Sequence, residues 1–297
     1  MVSDEDVPHV SGLYQFRNVN QFKADLEFFL RFYTPVCLQD IIRYLDGTGR
    51  LPKRCFLPTF DDGFREIYDV ISPILYAQGI PAVFFLTTSA IDNRQLCYPQ
   101  KKSLLIRSLT SFNKSSLMQE ASIALADAGV EGTDLSSMIR SVYYRQQNVL
   151  DELGRIFKCD FTAYTASVQP YLTSKQIRDL IRKGFEIGAH SVDHPLYSEL
   201  CLEEQLSQTR DSLRWLSGRY HYDCRAFAFP YSDAGISLDF FQKAFADSHL
   251  KVTFGTGGIL RHFFPRNVAR FSMERTDRPA ELILARQFGR SFLRRSV

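Results

Sequence analysis

The chain has 297 residues, 45% of them hydrophobic, with 36 Lys and Arg against 33 Asp and Glu for a net charge of +3. That is enough to bury a sizeable core, one large domain over 1–297 is the expectation, and the near-balanced charge gives no electrostatic footprint for nucleic acid. No run approaches 18 apolar residues and the acidic start "MVSDEDVPHV" has neither a basic nor an apolar leader region, so we expect no transmembrane segment and a cytoplasmic location. The six cysteines, at 37, 55, 97, 159, 201 and 224, form no C-x-x-C pair and read as reduced core residues.

In chain order, residues 20–46 are amphipathic, with Phe22, Leu26, Phe29 and Leu30 at helical spacing, followed by Ile41, Ile42 and Leu45. A regular alternation starts near 54. The apolar run 54–60 leads through Asp61-Asp62-Gly63 into a helical pattern over 64–78, Gly79 ends it, and "AVFFLTT" (82–88) reads as a buried strand. This is one βαβ unit, which predicts parallel strands. Residues 95–170 break the rhythm with helical pieces and no strand of the same kind, and read as a mostly helical insertion. The alternation resumes with Thr173 as N-cap of a helix through Lys183, Gly184 past its end, and a strand over 185–190. Helix 203–217, strand 224–229, helix 237–247 and strand 251–256 follow. Purely apolar strands joined by helices imply a sheet covered on both faces, either doubly wound or a (β/α) barrel, with the chemistry at the C-terminal strand ends.

Few polar residues interrupt those ends. They are Asp61-Asp62, His190 and His194 of "HSVDH", Pro230-Tyr231, and Thr256-Gly257-Gly258. Two adjacent carboxylates repel unless a cation lies beside them, and a metal supplies one. The four-residue spacing of the histidines puts both rings on one side of a turn. Two neutral imidazoles and one carboxylate make a three-ligand site with open positions, the arrangement of catalytic zinc, and leave the second aspartate free as a base. Asp-Asp-Gly alone serves equally as a helix N-cap, and His-x-x-x-His alone occurs by chance. Both at matching rim positions indicate a metal site.

"TFDDG" (59–63), "HSVDH" (190–194) and "FAFPY" (227–231), in this order, resemble the NodB-homology polysaccharide deacetylase family, carbohydrate esterase family 4, over about 54–90 and 173–260. The resemblance implies a distorted (β/α)7-type barrel. It also implies that Asp62, His190 and His194 hold one divalent metal, Zn2+ before Co2+ or Ni2+, that Asp61 is the general base, and that the backbone N–H of Tyr231 helps hold the oxyanion. Three features depart from the pattern. The family's arginine two residues before the proline, which orients the catalytic aspartate, is Ala228 here, and we expect Arg266 rather than Arg270 to replace it. The family's Leu-x-His general acid is matched by Leu260-Arg261-His262, which makes His262 the candidate, with His9 as another. The usual opening strand with its Tyr-His pair has no counterpart, so either the barrel lacks that strand or the chain's start lies upstream.

The expected function is removal of an N-acetyl or similar N-acyl group from an amino sugar, in cytosolic glycan or surface-polysaccharide biosynthesis, with an N-acylated amino sugar as partner. Alternatives are a deformylase or amidohydrolase acting on another small amide, and a catalytically impaired carbohydrate-binding relative, which the absent arginine fits. A two-His-one-carboxylate iron oxygenase is disfavoured by the βα alternation. Arg286, Arg290, Arg294 and Arg295 form a stripe on the last helix that reads as a solvated face before it reads as a peripheral membrane contact.

Overall fold

The computed structural model describes residues 1–110, 115–246, 249–258 and 264–293, the side chains of 290–293 excepted. Its contacts divide into two compact units: Met1–Asp4, Phe16–Asp92 and Tyr171–Val297 form the first, Glu5–Gln15 and Asn93–Pro170 the second.

The first unit is built on parallel strands in sequence order. β1 (Thr34–Pro35) pairs with β2 (Cys55–Phe56). Six further strands make one sheet: β3 (Thr59–Phe60), β4 (Val83–Leu86), β5 (Glu186–Ala189), β6 (Ala226–Ala228), β7 (Val252–Gly255) and β8 (Asn267–Ala269). Only Leu57 and Pro58 separate β2 from β3, and Pro58 still accepts a ladder bond from Val83 N–H. The predicted strand 54–60 is therefore one run that pairs first with β1 and then with β4. This is the curled parallel arrangement of a distorted (β/α) barrel. β8 lies beyond the last strand read from the alternation, because three residues with an asparagine at the start carry too little apolar signal.

Strand alternation sorts the side chains into two layers. One face carries Phe84, Leu86, Ile187, Ala189 and Phe227, packed under Leu75 and the helices Ser174–Arg182, Leu202–Tyr220 and Leu238–Ala246, which contribute Leu180, Leu216 and Phe240. The other face carries Val83, Phe85, Ala226, Ala228, Val252 and Phe254 against Leu38 and Ile42 of the helix Leu38–Leu45. Phe85 sits directly over Gly188, where a Cβ would meet its ring at 2.3 Å, so only glycine fits beside it. Each fully buried Phe or Leu in these layers contributes about 1.5–3 kcal/mol. The helix before β5, Ser174–Arg182, begins where its caps dictate: Thr173 accepts from Gln176 N–H, and the Gln176 side chain accepts from Thr173 N–H.

The second unit has its own core of Leu105, Leu125, Ile139, Leu150, Leu153 and Phe157 on the helices Tyr98–Leu109, Ser115–Asp127, Leu135–Ser141 and Asn148–Ile156, with Phe161–Val168 completing it. All six cysteines are free; Cys97 and Cys224 are buried as expected, but Cys201 is exposed at the start of the helix Leu202–Tyr220. Among the described residues no helix is long and apolar enough to cross a membrane. Arg294 and Arg295 of the arginine stripe, and the side chain of Arg290, lie outside the described residues.

Candidate active site

The alternation that builds the layers also builds the site. Thr59 and Asp61 follow the same parity as Phe85, and Gly188 and His190 share it on β5, so both polar side chains extend the Phe85 layer beyond the strand ends. Asp62 would point to the opposite face if the strand continued. Its φ of 72° breaks the extended run, and its carboxylate meets the histidines instead. Ser191, His194 and Tyr231 also have positive φ, at 66°, 63° and 57°. Four left-handed non-glycine residues in three loops at one rim are a costly backbone choice, about 1–3 kcal/mol each at the upper end, and such strain concentrates at functional sites.

Asp62 Oδ1 lies 2.9 Å from Nε2 of His194 and 3.5 Å from Nε2 of His190. One ligand atom from each of the three falls within 4.8 Å of the others. His190 Nδ1 donates to the Ala228 carbonyl at 2.8 Å, a carbonyl being able only to accept, so in the neutral ring the Nε2 lone pair faces Asp62. Although close to both rings, Asp62 Oδ1 is buried without an aligned hydrogen bond, as is His194 Nδ1. A lone pair, a second imidazole and a carboxylate oxygen turned toward one point could hold a metal ion. The donor set fits a divalent metal with open positions. Burial pushes Asp62 up, but His194 and His190 outweigh it and hold the carboxyl far below the ordinary range. Burial lowers His190, yet Asp61 and Asp62 more than offset it and leave its pKa raised.

The histidine loop is fixed from within by Ser191 and from outside by Gln208. Ser191 Oγ accepts from His194 N–H at 2.9 Å, and Gln208, on the helix Leu202–Tyr220, accepts from the N–H groups of Val192 and Asp193 at 2.9 and 3.1 Å. Nothing in the sequence pattern singles out Gln208 among the polar residues of that helix.

Asp61 has a different partner from Asp62. Arg270 donates to both of its oxygens, at 2.7 and 2.9 Å, and to Thr59 Oγ1 at 3.0 Å. Its guanidinium lies over the rings of Phe85 and Phe254, 5.3 and 5.9 Å from their centroids. Burial pushes the Asp61 carboxyl up, but the Arg270 charge and then His190 pull it below the usual carboxylate range. Here the expectation of Arg266 is corrected. Arg266 pairs with Asp46 at 2.7 Å and donates to the Lys251 carbonyl. The two arginines have the same strand parity but flank β8 at opposite ends, about 13 Å apart at 3.3 Å per residue, and only Arg270 follows the strand onto the rim. The side chain at 228 belongs to the same layer as Phe85 and Phe254, so alanine there leaves room over those rings for an arginine arriving from β8.

Tyr231 is 47% exposed, with its ring edge-on to His194 at 4.8 Å. His9 belongs to the second unit, where it is buried with Nδ1 2.9 Å from the Tyr164 hydroxyl. His262 lies outside the described residues.

The profile of the family described as "Polysaccharide deacetylase" matches residues 48–244. No curated protein matches. Solved structures similar to this chain include the deacetylase PplD of Streptococcus pyogenes in complex with acetate (15% identity, 95% of this chain and 92% of that one, TM-score 0.60). IcaB from Ammonifex degensii has 15% identity over 91% and 89%, with a TM-score of 0.56. A de-N-acetylase from Aggregatibacter actinomycetemcomitans has 17% identity over 92% of each chain and a TM-score of 0.54. At these identities the structural likeness establishes the fold, which is that of a distorted (β/α) barrel.

Proposed function

From the premise that this chain belongs to the polysaccharide deacetylase family, we propose that it is a metal-dependent hydrolase that removes an N-acetyl group from an amino sugar of a polysaccharide. The observation that carries the reading is the division of labour between adjacent aspartates: Asp62 turned to two imidazoles, Asp61 clamped by Arg270.

Asp62, His190 and His194 would hold the ion. Bound there, a divalent metal supplies a Lewis acid that polarises the acyl carbonyl and lowers the pKa of water to about 7. Asp61 takes the water's proton. The carboxylate suits this role because Arg270 keeps it ionised and fixes its orientation, so no reorganisation is needed when the proton moves. The turn bearing Tyr231 stands beside His194, where its backbone N–H donates to the developing oxyanion, and its exposed ring gives a sugar an amphipathic surface to rest on. Names of similar structures that include a deacetylase with acetate and a de-N-acetylase support the choice of acyl group.

The test is acetate release from N-acetylated hexosamine oligomers and polymers by protein loaded with Zn2+, Co2+ or Ni2+, beside Asp61→Asn. We expect release by the wild type and a loss of about 10²–10⁴-fold in kcat with metal content kept for the variant, the usual worth of a general base. Stoichiometric metal with no hydrolysis of any acyl sugar would instead favour a carbohydrate-binding relative.

A further inference from the structure

The loop that carries Tyr231 also carries a buried carboxylate the chemistry above does not use. Asp233 Oδ1 accepts from the Thr256 N–H at 3.0 Å, and its Oδ2 accepts from the side-chain amide of Asn267 at 2.7 Å. Asn267 opens β8, and its Oδ1 accepts from the Thr253 hydroxyl of β7 at 2.8 Å. One side chain from the loop after β6 thus ties the end of β7 to the start of β8. The fit admits no side chain at the last residue of β7: a Cβ on Gly255 would stand 2.0 Å from Asp233 Oδ2.

Gly255 and Thr256, the segment Asp233 packs against and bonds, also hold the groups of the proposed chemistry. The Gly255 carbonyl accepts from Arg270 N–H at 3.0 Å and from its Nε at 3.4 Å. The Thr256 hydroxyl donates to the Tyr231 carbonyl at 3.2 Å. With alanine at 228, β6 supplies no cation to Asp61, and the fork from Arg270 at the far end of the sheet sets the orientation of that carboxylate. A fork geometry tolerates little displacement, and a shift of about 1 Å in a positioned group costs about 100-fold in rate.

We propose that Asp233 is a positioning residue for the hydrolysis. By fixing the Gly255-Thr256 segment it places both the Arg270 fork on Asp61 and the turn bearing Tyr231, so that two groups from different strands keep one geometry. This rests on the reading that Asp61 is the base.

Asp233→Asn keeps size and removes one acceptor, leaving an amide hydrogen against a donor. It is expected to lower kcat about 10- to 100-fold, as loss of a supporting hydrogen bond does, with bound metal close to wild type because the ligands stand on other loops. In D233N/N267D the roles trade places: position 233 donates to a carboxylate at position 267, which still accepts from Thr253, while position 233 still accepts from Thr256. Most of the lost kcat should return. Asn267→Ala, which spares the Thr256 bond, should show a smaller loss in the same direction and serves if D233N does not fold. Wild-type kcat in a folded single variant, or a folded double variant no better than D233N, overturns the proposal. If the wild type hydrolyses no acyl sugar, the functional reading fails separately, and a crystal structure of D233N decides the positioning role: an intact Arg270 fork on Asp61 refutes it, a displaced one supports it.

Discussion

An arginine flanks β8 at either end, and each makes an ion pair of 2.7 Å, yet the two pairs do different things. Arg266 and Asp46 are 31% and 38% exposed and sit at the end of the strand away from the rim. Arg270 is 14% exposed, holds both oxygens of its partner and is backed by two aromatic rings. Length does not rank them. Water screens the first, so it contributes about 0–1 kcal/mol, whereas the second is bidentate, sheltered and aimed at the proposed general base. On a parallel strand, position along the axis decides what an arginine does before residue type does.

The largest expected effect lies just beside that pair. Asp62→Ala and His194→Ala should each lose the metal after dialysis, measured by elemental analysis, and with it all turnover. Full metal in Asp62→Ala would mean that the two aspartates are assigned the wrong way round. Next, Arg270→Met should reduce kcat about 10- to 100-fold, on the scale of a charged hydrogen-bonded pair. It should also move the acid limb of kcat/KM to higher pH. Asp61 is held low by Arg270 against a burial that raises it, so removing the cation lets its pKa rise and the base is lost earlier as pH falls. The same sign governs stability. The depressed carboxyl contributes above its unfolded value and loses the contribution only as pH drops through the folded one, so R270M should narrow the acid side of the stability profile. An unmoved limb would detach Arg270 from the ionisation of Asp61.

A milder effect is expected at the histidine loop. Gln208→Leu removes the acceptor for two loop N–H groups and should weaken metal binding about 10-fold by competition with a chelator, in line with other supporting partners of metal ligands. Smallest is Arg266→Ala, which should leave kcat unchanged and cost at most about 1 kcal/mol in thermal unfolding. A large kcat loss there would erase the contrast between the two ends of β8.

Most strands and helices of the first unit were legible because each is a local pattern: apolar runs between glycines, and caps such as Thr173 with Gln176. The three candidate ligands were legible too, because a carboxylate pair and two histidines at strand ends have few other reasons to be there. What escaped has a common cause. β8 is too short to announce itself, so nothing local told Arg266 from Arg270. Gln208 and Asp233 act through hydrogen bonds to backbone N–H groups 15 and 23 residues away, and such contacts leave no periodic trace.

Hydrophobic period and residue chemistry are properties of the chain read in order, and they set the parallel βα alternation, the helical character of residues 95–170, and the place of Asp61, Asp62, His190, His194 and Tyr231 at the rim. Packing in three dimensions selects which arginine meets Asp61, turns Asp62 back on a left-handed backbone to meet the histidines, and sets Asp233 between three strand ends. Those are matters of which end of a strand faces which loop, and that depends on how the sheet closes on itself rather than on any stretch of it.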